Sequence, residues 1–189
     1  MILAGCLRTD RAQVGIAQVG IAPHSLRATS PADLTQVLKA TPQGPVHIHI
    51  SEQTKEVDDC IAWSGARPVE YLYQNFDVDR NWCLIHATHM TEAETSDVAK
   101  SGAVAGLCPT TEGNLGDGFF NATQYLSEGG ALGIGSDSHI SISPTEEMRW
   151  FEYGQRLLHR SRNQLSGGYK RSTGRNLFDI CTAGGAQAC

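Results

Sequence analysis

The chain has 189 residues and a formal net charge of −5, which suits one domain with a proper core rather than two. The negative charge, without any run of lysine and arginine, argues against a nucleic-acid partner and against a membrane-surface partner. No apolar stretch approaches the roughly 20 residues that a membrane span requires. The six cysteines contain no C-x-x-C pair, which predicts reduced thiols in a cytoplasmic protein.

Residues 1–18 predict an irregular segment, and residues 19–189 predict the folded domain. Val19–Ala22 predicts a short strand, with His24 and Arg27 in the loop at its carboxyl end. Ser30-Pro31-Ala32-Asp33 then predicts a helix start, because serine suits the N-cap, proline the first helical position and aspartate the first turn.

The stretch Pro45–Gln53 reads Pro-Val-His-Ile-His-Ile-Ser-Glu-Gln. Its β-branched residues predict a buried strand, and the period of two places His47 and His49 on the same face. Glu52 follows just beyond the strand. Two interpretations stay open from this stretch alone: the floor of a metal site, or a half-buried strand with two hydrogen-bonded histidines.

Further helices and strands alternate through the rest of the chain. A helix after Gln53 is expected to pack Val57, Cys60, Ile61 and Trp63 or Ala66 inward, and a second helix covers Val69–Tyr73. The predicted strands are Asn81–His86, Ala103–Cys108 and Ala131–Gly135. Thr91–Glu94 has the pattern of a capping box, with Gly102 as the helix end. The other predicted segments are a loop at Pro109–Gly118, a helix over Thr123–Ser127 and a last helix through Leu177, Ile180 and Cys181 to Gly184.

Ser143-Pro144-Thr145-Glu146 predicts the start of the longest helix. Its expected apolar side consists of Met148, Trp150, Phe151, Leu157 and Leu158.

This alternation predicts parallel strands with helical connections. In such a sheet the carboxyl ends of the strands lie at one edge, where active sites form. No Gly-x-Gly-x-x-Gly follows a strand, so a dinucleotide-binding fold has little support. A (β/α) barrel is favoured, with about five units where a closed barrel has eight.

Four polar residues at successive strand ends suggest a metal site. His49, His86 and Asp137 are of the types that bind zinc or iron at hydrolytic centres. A carboxylate that does not bind the metal, such as Glu52, can carry a proton from water to a leaving nitrogen. One histidine alone is more often a satisfied core or rim residue, but the four residues together favour a site.

These residues carry a resemblance to a known family. His49-Ile-Ser-Glu52, His86 at a strand end and Gly135-Ser-Asp137 resemble the amidohydrolase superfamily in its deaminase branch. Within it, the chain is similar to the formimidoylglutamate deiminases from about Gly20 to about Gln187. The stretches that carry this narrower resemblance are Ala22–Arg27, His47–Cys60, Cys108–Asp117 and Gly135–His139.

The resemblance implies an activity and a fold. The activity is hydrolysis of the small molecule N-formimidoyl-L-glutamate to N-formyl-L-glutamate and ammonia, in histidine degradation in the cytoplasm. The fold is α/β, a TIM-barrel-type (β/α)8 metal-dependent hydrolase, with about the last five βα units present. One Zn²⁺ per site is implied, with iron as the other candidate, and a homodimer for the full-length family member.

The resemblance also implies a role for each matching residue. His49 and Asp137 would bind the metal, and Asp137 would also belong to the catalytic group. Glu52 would be the proton shuttle, and His86 would lie beside the attacking hydroxide. His24 and Arg27 would hold the glutamate end of the substrate, because a guanidinium can bind a carboxylate with two hydrogen bonds.

We expect structural roles for the remaining histidines. We expect His47 to line the barrel interior, although its spacing from His49 also imitates a metal pair. His89 and His139 are expected at the rim and His159 in solvent. For Glu112, Asn114 and Asp117, two interpretations stay open: they shape the substrate loop, or they only form a turn.

Several family features have no counterpart in this sequence. They are the His-x-His pair at the end of the first barrel strand, the substrate-binding residues of the early loops, the first three βα units and the small β-sandwich beside the barrel. We therefore expect a carboxyl-half barrel fragment that binds zinc weakly and whose activity alone is uncertain. Two alternatives remain. One is a related deaminase acting on a guanine- or cytosine-like substrate, and the other is a non-catalytic βα fragment that binds a partner or assembles as an oligomer.

Overall fold

The computed structural model describes residues 19–40, 44–168 and 171–189. Its sheet contains the strands β1 (Val46–Ile50), β2 (Trp82–His86), β3 (Val104–Leu107) and β4 (Ala131–Ile134). The helices are α1 (Pro31–Ala40), α2 (Thr54–Ser64), α3 (Pro68–Asn75), α4 (Glu92–Ser101), α5 (Pro109–Leu115), α6 (Ala122–Ser127), α7 (Pro144–His159) and α8 (Thr173–Ala188). Within the described ranges, no helix is long and apolar enough to cross a membrane.

The strands lie in chain order, and each pairs in parallel with the next. Parallel neighbours need a crossover connection, and helices lie in every crossover of this sheet. The predicted α/β class with a parallel sheet is therefore confirmed. The predicted irregular segment 1–18, which includes Cys6, lies outside the described residues.

Upstream of β1, the predicted strand Val19–Ala22 is not a continuous strand. Ile21 forms a single parallel bridge to Val46, and Ser25 forms another to His49. The backbone between these bridges therefore runs beside β1 without a regular ladder, and it brings the loop that contains His24 to the end of β1.

One face of the sheet forms the main hydrophobic core. Ile48, Leu84 and Leu132 are at most 1% exposed, and they share a cluster with Leu34 of α1 and Leu177 of α8. Full burial of such a side chain stabilises a fold by about 1.5–3 kcal/mol. Packing on this face holds in place the sheet that carries the polar residues at the carboxyl ends of its strands.

The end of α8 packs against β3 and β4 at the opposite end of the strands from the polar residues. The Gln187 amide donates to the carbonyls of Arg80 and Gly102 at 2.9 and 2.7 Å. His47 Nε2 lies 2.8 Å from the Ala188 carbonyl, so it must be the donor. A Cβ at Gly184 would overlap the carbonyl of Leu132, which explains a glycine there. His47 thus takes part in packing inside the fold, where the sequence places it.

Three predicted helix starts are observed with their caps. The Ser30 hydroxyl accepts from Asp33 N at 3.1 Å, and Ser143 accepts from Glu146 N at 3.4 Å. Thr91 and Glu94 form the reciprocal capping box, and Gly102 ends that helix with a left-handed φ of 79°. These features depend on neighbouring residues only, which is why sequence patterns find them.

The interpretation of Pro109–Gly118 as a loop is wrong. Pro109–Leu115 forms helix α5, and Gly116 ends it with a φ of 72°. Glycine and asparagine in this stretch suggested a turn, but the helix is held by buried contacts of Thr110, Thr111 and Glu112.

Several predicted core residues are exposed instead. Ile61 is 42% exposed, because Val57 and Cys60 already fill the inner face of α2. Of the two alternatives Trp63 and Ala66, Ala66 is the buried one, and Trp63 is 58% exposed. On α7, Trp150, Leu157 and Leu158 are 52%, 74% and 48% exposed. The buried side of α7 carries Glu147, Phe151, Glu152, Gly154 and Gln155. The apolar residues of α7 do not identify its buried side, because Glu147 and Glu152 are buried there. They accept hydrogen bonds from Thr110 and Leu165.

Candidate active site

The backbone is strained at the edge of the sheet where the strands end. Ser51 after β1, His86 at the end of β2 and Asp137 after β4 have φ values of 49°, 69° and 51°. None is glycine, and such conformations are unfavourable by about 1–3 kcal/mol each unless the surroundings impose them. Strain of this kind clusters at active sites, so three instances at one edge indicate a functional region.

Three histidines from distant positions form a row at this edge. The ring centroids of His24 and His49 are 4.9 Å apart, and those of His49 and His86 are 5.6 Å apart. The Ser25 bridge brings His24 to β1, and the β1–β2 register brings His86 beside the end of β1. The fold therefore assembles residues that the sequence separates by 62 positions.

The hydrogen bond of His49 determines which of its nitrogens carries a proton. Its Nδ1 lies 2.7 Å from the carbonyl oxygen of His24. A carbonyl can only accept, so Nδ1 is the donor, and in the neutral ring the lone pair is on Nε2. A backbone carbonyl on the second nitrogen is the usual partner of a metal-binding histidine. His49 is thus prepared to bind a metal through Nε2.

Asp137 lies in an exposed turn after β4, and two bonds hold that turn near the other strands. Gly135 N donates to the Leu107 carbonyl at 2.9 Å, and the Thr111 hydroxyl donates to the Ser136 carbonyl at 2.9 Å. The negative charge of Asp137 is among the causes that raise the pKa of His86. The carboxylate is therefore close enough to His86 for its charge to act on that ring.

His49 and Asp137 fit a zinc ion by their chemistry. A neutral imidazole with a fixed second nitrogen and a carboxylate are both zinc donors, and together they supply two of the four donors of a tetrahedral site. Iron accepts the same pair.

Glu52 lies between Arg27 and His86. Its carboxylate accepts a hydrogen bond from Arg27 Nη2 at 2.6 Å and lies 3.6 Å from His86 Nε2. Burial raises the pKa of Glu52, but the Arg27 hydrogen bond and the charges of His86, Arg27 and His49 lower it overall. The carboxylate is therefore held ionised, in the state that can accept a proton.

Arg27 contacts carboxylates of the chain itself. Besides Glu52, its Nε lies 3.9 Å from Glu56, and 34% of its side chain is exposed. The resemblance assigns Arg27 to the substrate, whereas this structure shows it bound to Glu52. A substrate carboxylate would have to use the remaining guanidinium donors or compete with Glu52 for the same ones.

Glu56 is a structural determinant of the site to which the sequence analysis gave no role. It is 4% exposed, and its two oxygens accept from the backbone nitrogens of Ser51 and Glu52 at 3.0 and 2.8 Å. Glu56 therefore fixes the turn that presents Glu52. The signal in the sequence is a glutamate four residues after another glutamate at a strand end.

His86 is 1% exposed and has a carboxylate near each ring nitrogen. Nδ1 lies 3.2 Å from Glu112 Oε1, and Nε2 lies 3.6 Å from Glu52 Oε1. Burial lowers the pKa of His86, but Glu112, Glu52 and Asp137 raise it overall. The sequence analysis left Glu112 undecided, and the structure brings it into contact with the site.

A second group of possible metal-binding atoms includes His86 and two further buried residues. Ligand atoms of His86, Cys108 and Glu112 lie within 4.8 Å of one another, and all three residues are buried. Burial raises the pKa of the Cys108 thiol, and the Glu112 carboxylate raises it further. Glu112 Oε1 is already bonded to Cys108 N and His86 Nδ1. A carboxylate oxygen that already accepts two hydrogen bonds has little capacity left for a metal ion, which argues against this group as a metal site.

The remaining polar residues lie around this group. Asp117 interacts with Gln53, and burial raises its pKa. His89 is half-buried, and His139 Nδ1 lies 3.2 Å from Ser141 N. His159 is exposed on α7, as the sequence predicts.

Comparisons with known proteins find many relatives in sequence. The model of the amidohydrolase family matches residues 1–189. The chain is 58% identical over 171 residues to the formimidoylglutamate deiminase of Pseudomonas aeruginosa, covering 90% of this chain and 38% of that protein. It is 30% identical over 152 residues to a 5-methylthioadenosine/S-adenosylhomocysteine deaminase of Natronomonas pharaonis, covering 78% of this chain and 35% of that protein.

Many solved structures share the fold. An amidohydrolase from Brucella melitensis has a TM-score of 0.93 and 54% identity, over 99% of this chain and 42% of its own. An adenosine deaminase from Xanthomonas campestris with bound zinc has a TM-score of 0.84 and 26% identity, again over 99% and 42%. The chain thus spans about two fifths of the length of the proteins that it matches.

Proposed function

The chain belongs to the amidohydrolase family, and on that premise we propose that its site hydrolyses N-formimidoyl-L-glutamate to N-formyl-L-glutamate and ammonia. Its sheet is part of the TIM-barrel-type fold of that family. The likeness to a formimidoylglutamate deiminase carries the proposal, because it is far closer than the likeness to the other named deaminases. The grouping of His49, Glu52, His86 and Asp137 supports it chemically.

One zinc ion per site is part of the proposal, with His49 Nε2 and the Asp137 carboxylate as ligands. The support is the fixed proton on His49 Nδ1 and the position of Asp137 near His86. A zinc ion held there would act as a Lewis acid and lower the pKa of a water toward about 7. Iron would serve with the same ligands.

Glu52 is the proton carrier in this proposal. The oxygen of one water forms a bond to the formimidoyl carbon, and Glu52 accepts a proton from that water and delivers it to the terminal nitrogen. The second water proton follows the same route as the carbon–nitrogen bond breaks. Both protons end on the leaving nitrogen, so the products are a formyl group and ammonia. Its lowered pKa keeps Glu52 ready to accept the first proton.

His86 and the loop before β1 position the reactants. His86 Nε2 faces Glu52, so it holds the attacking oxygen next to the proton carrier. Arg27 and His24 bind the glutamate end of the substrate. Arg27 has an exposed part of its side chain for this role, and a carboxylate that binds it also takes over some of its contact with Glu52.

The wider setting is proposed from the resemblance. The protein acts on a small molecule in histidine degradation, in the cytoplasm, and the full-length form is a homodimer. The partial barrel domain begins at about residue 19.

Metal analysis of the purified chain tests the metal site. After dialysis against dilute zinc, the His49→Ala variant should retain less zinc than the wild type, and Asp137→Ala should behave in the same way. His159→Ala is the matched control, because His159 is exposed on α7. Equal zinc retention in the wild type and in His49→Ala would contradict the assignment.

Ammonia release tests the substrate. In the protein that carries this chain, N-formimidoyl-L-glutamate should release ammonia, and cytosine and guanine should not. Arg27→Ala should strongly reduce turnover of N-formimidoyl-L-glutamate, because the guanidinium binds a carboxylate of this substrate. A neutral base has no such group, so its turnover would hardly depend on Arg27. Ammonia from cytosine or guanine alone would replace the proposal with the alternative deaminase.

A further inference from the structure

We infer that Glu112 is a positioning residue for His86, holding the imidazole through Nδ1 so that Nε2 faces Glu52 and the substrate. Its catalytic meaning rests on the proposed function, whereas the positioning itself is a property of the fold. Glu112 is 6% exposed, lies in the first turn of α5 and is 26 residues away from His86 in sequence.

The Glu112 carboxylate is held in place by hydrogen bonds other than the one with the His86 ring. Its Oε1 accepts from Cys108 N at 2.8 Å, and its own backbone nitrogen donates to the Cys108 carbonyl at 2.9 Å. The carbonyl of Glu112 accepts from Asp117 N at 2.9 Å. Main chain and side chain are thus both bonded, so Oε1 is a rigid acceptor at the end of β3.

This acceptor determines the orientation of the His86 ring. Oε1 lies 3.2 Å from Nδ1, and a carboxylate only accepts, so Nδ1 carries a hydrogen. The other nitrogen, Nε2, then lies 3.6 Å from Glu52 Oε1. A ring turned over by 180° would put a carbon against Glu112 and lose the bond. The carboxylate therefore selects one ring orientation and one hydrogen position.

The need for a carboxylate at this position supports the inference. A neutral oxygen would satisfy the Cys108 N–H, and burial of a charged group is unfavourable unless that group has a partner. His86 is the partner that a charged acceptor holds more strongly than a neutral one. A role limited to the Cys108 turn leaves the charge of Glu112 unexplained.

The test measures the His86 ring directly. In ¹⁵N NMR spectra of the isolated chain with a chelator, the ring signals of His86 are assigned by their loss in His86→Gln. Above the titration range of the ring, the wild type should show hydrogen on Nδ1. Glu112→Gln should keep that form because its amide oxygen can still accept, and Glu112→Ala should lose it.

A matched control separates positioning from loss of stability. Glu152 is also a buried glutamate, 3% exposed, and its oxygens accept from Gln164 N and Leu165 N at 3.1 and 3.0 Å. Glu152→Ala should destabilise the chain and leave the His86 ring form unchanged. If Glu112→Ala does not fold, Glu112→Asp replaces it, because the shorter side chain withdraws the oxygen from the ring.

Several outcomes would overturn the inference. One is an unchanged Nδ1 hydrogen in Glu112→Ala or Glu112→Asp, and another is the same loss in Glu152→Ala. A fall in zinc retention in both Glu112→Ala and Cys108→Ser would mean that His86, Cys108 and Glu112 bind metal instead. The inference expects zinc retention to stay at the wild-type level in both variants.

Turnover gives the catalytic readout. Removal of a residue that orients a site histidine typically lowers activity about 10–100-fold, so kcat of Glu112→Ala should fall by that factor. KM should change little, and Glu112→Gln should recover most of the loss. If the wild type released no ammonia from N-formimidoyl-L-glutamate, the proposed function would fail. The NMR result on Glu112 would still stand or fall by itself.

Discussion

The turn after β1 and the turn after β3 use a buried glutamate in similar ways. After β1, Glu56 folds back onto the backbone nitrogens of Ser51 and Glu52 at 3.0 and 2.8 Å. After β3, Glu112 folds back onto Cys108 N at 2.8 Å. In each turn a carboxylate satisfies backbone donors that the strand leaves open at its end.

The two turns differ in which hydrogen-bond donors each glutamate oxygen accepts from. Glu56 uses one oxygen for each of two backbone donors, and its effect on chemistry passes through the main chain to Glu52. Glu112 uses the same oxygen for one backbone donor and for the ring of His86. One turn therefore positions a proton carrier through the backbone, and the other positions a ring by direct contact. Four predictions separate these two modes.

The largest expected effect belongs to the residue that the first turn presents. Glu52→Gln should lower kcat for ammonia release by about 10²–10⁴-fold, the range typical of a lost general acid–base group. Zinc retention should not change, since Glu52 is not a proposed ligand. The measurement is steady-state turnover with metal analysis, and Glu92→Gln, an exposed glutamate on α4, is the control. Turnover of Glu52→Gln at the wild-type rate would remove Glu52 from the mechanism.

The next effect compares the two turns by stability. Glu56→Ala leaves two backbone donors without an acceptor, and Glu112→Ala leaves one backbone donor and the Nδ1–H of buried His86. Each unsatisfied buried donor is unfavourable by about 1–3 kcal/mol, so we expect a loss of about 2–6 kcal/mol for each variant. Urea unfolding of both variants measures this. A loss for Glu112→Ala well below about 2 kcal/mol would contradict the use of its Oε1 for both the backbone and the ring.

An isosteric exchange tests the difference between the two turns more finely. In Glu56→Gln an NH₂ group must face one of the two backbone donors, so a loss of about 1–2 kcal/mol is expected. Above the titration range of His86, the amide oxygen of Glu112→Gln can take the place of Oε1 for both contacts, and the loss should be smaller, about 0.5 kcal/mol. Unfolding curves of the two variants side by side give the answer. Equal losses would show that the glutamates act alike.

The smallest expected effect is a pH dependence, measured with a chelator so that metal binding does not contribute. The pKa of His86 is raised overall in the fold, so its stabilisation is complete below the unfolded-state value of about 6.5 and is lost as pH rises through the folded value. Glu112→Gln removes the charge beside His86, so the free energy of unfolding should fall less steeply as pH rises. Glu56→Gln should leave it unchanged, because Glu56 is not among the groups that raise this pKa.

Local signals let the sequence predict much of the fold. Alternation of apolar residues predicts β1, and serine, threonine and proline at helix starts predict the caps, because both depend on residues a few positions apart. The same reasoning failed for α5 and for the buried face of α7. In both places, polar residues are buried because they bind partners outside their own helix: Glu147 of α7 binds Thr110 of α5, and Glu152 of α7 binds Leu165. No local pattern shows such partners.

At the candidate active site, the residue types at the strand ends can be read from the sequence: His49, Glu52, His86 and Asp137 follow parallel strands whose ends share one edge. The contacts of each residue follow from the three-dimensional fold. Arg27 binds Glu52 across 25 positions, and Glu112 reaches His86 across 26. Such pairs depend on strand register and on the direction of each turn. These are set by packing of the whole sheet, so residue spacing alone does not determine them.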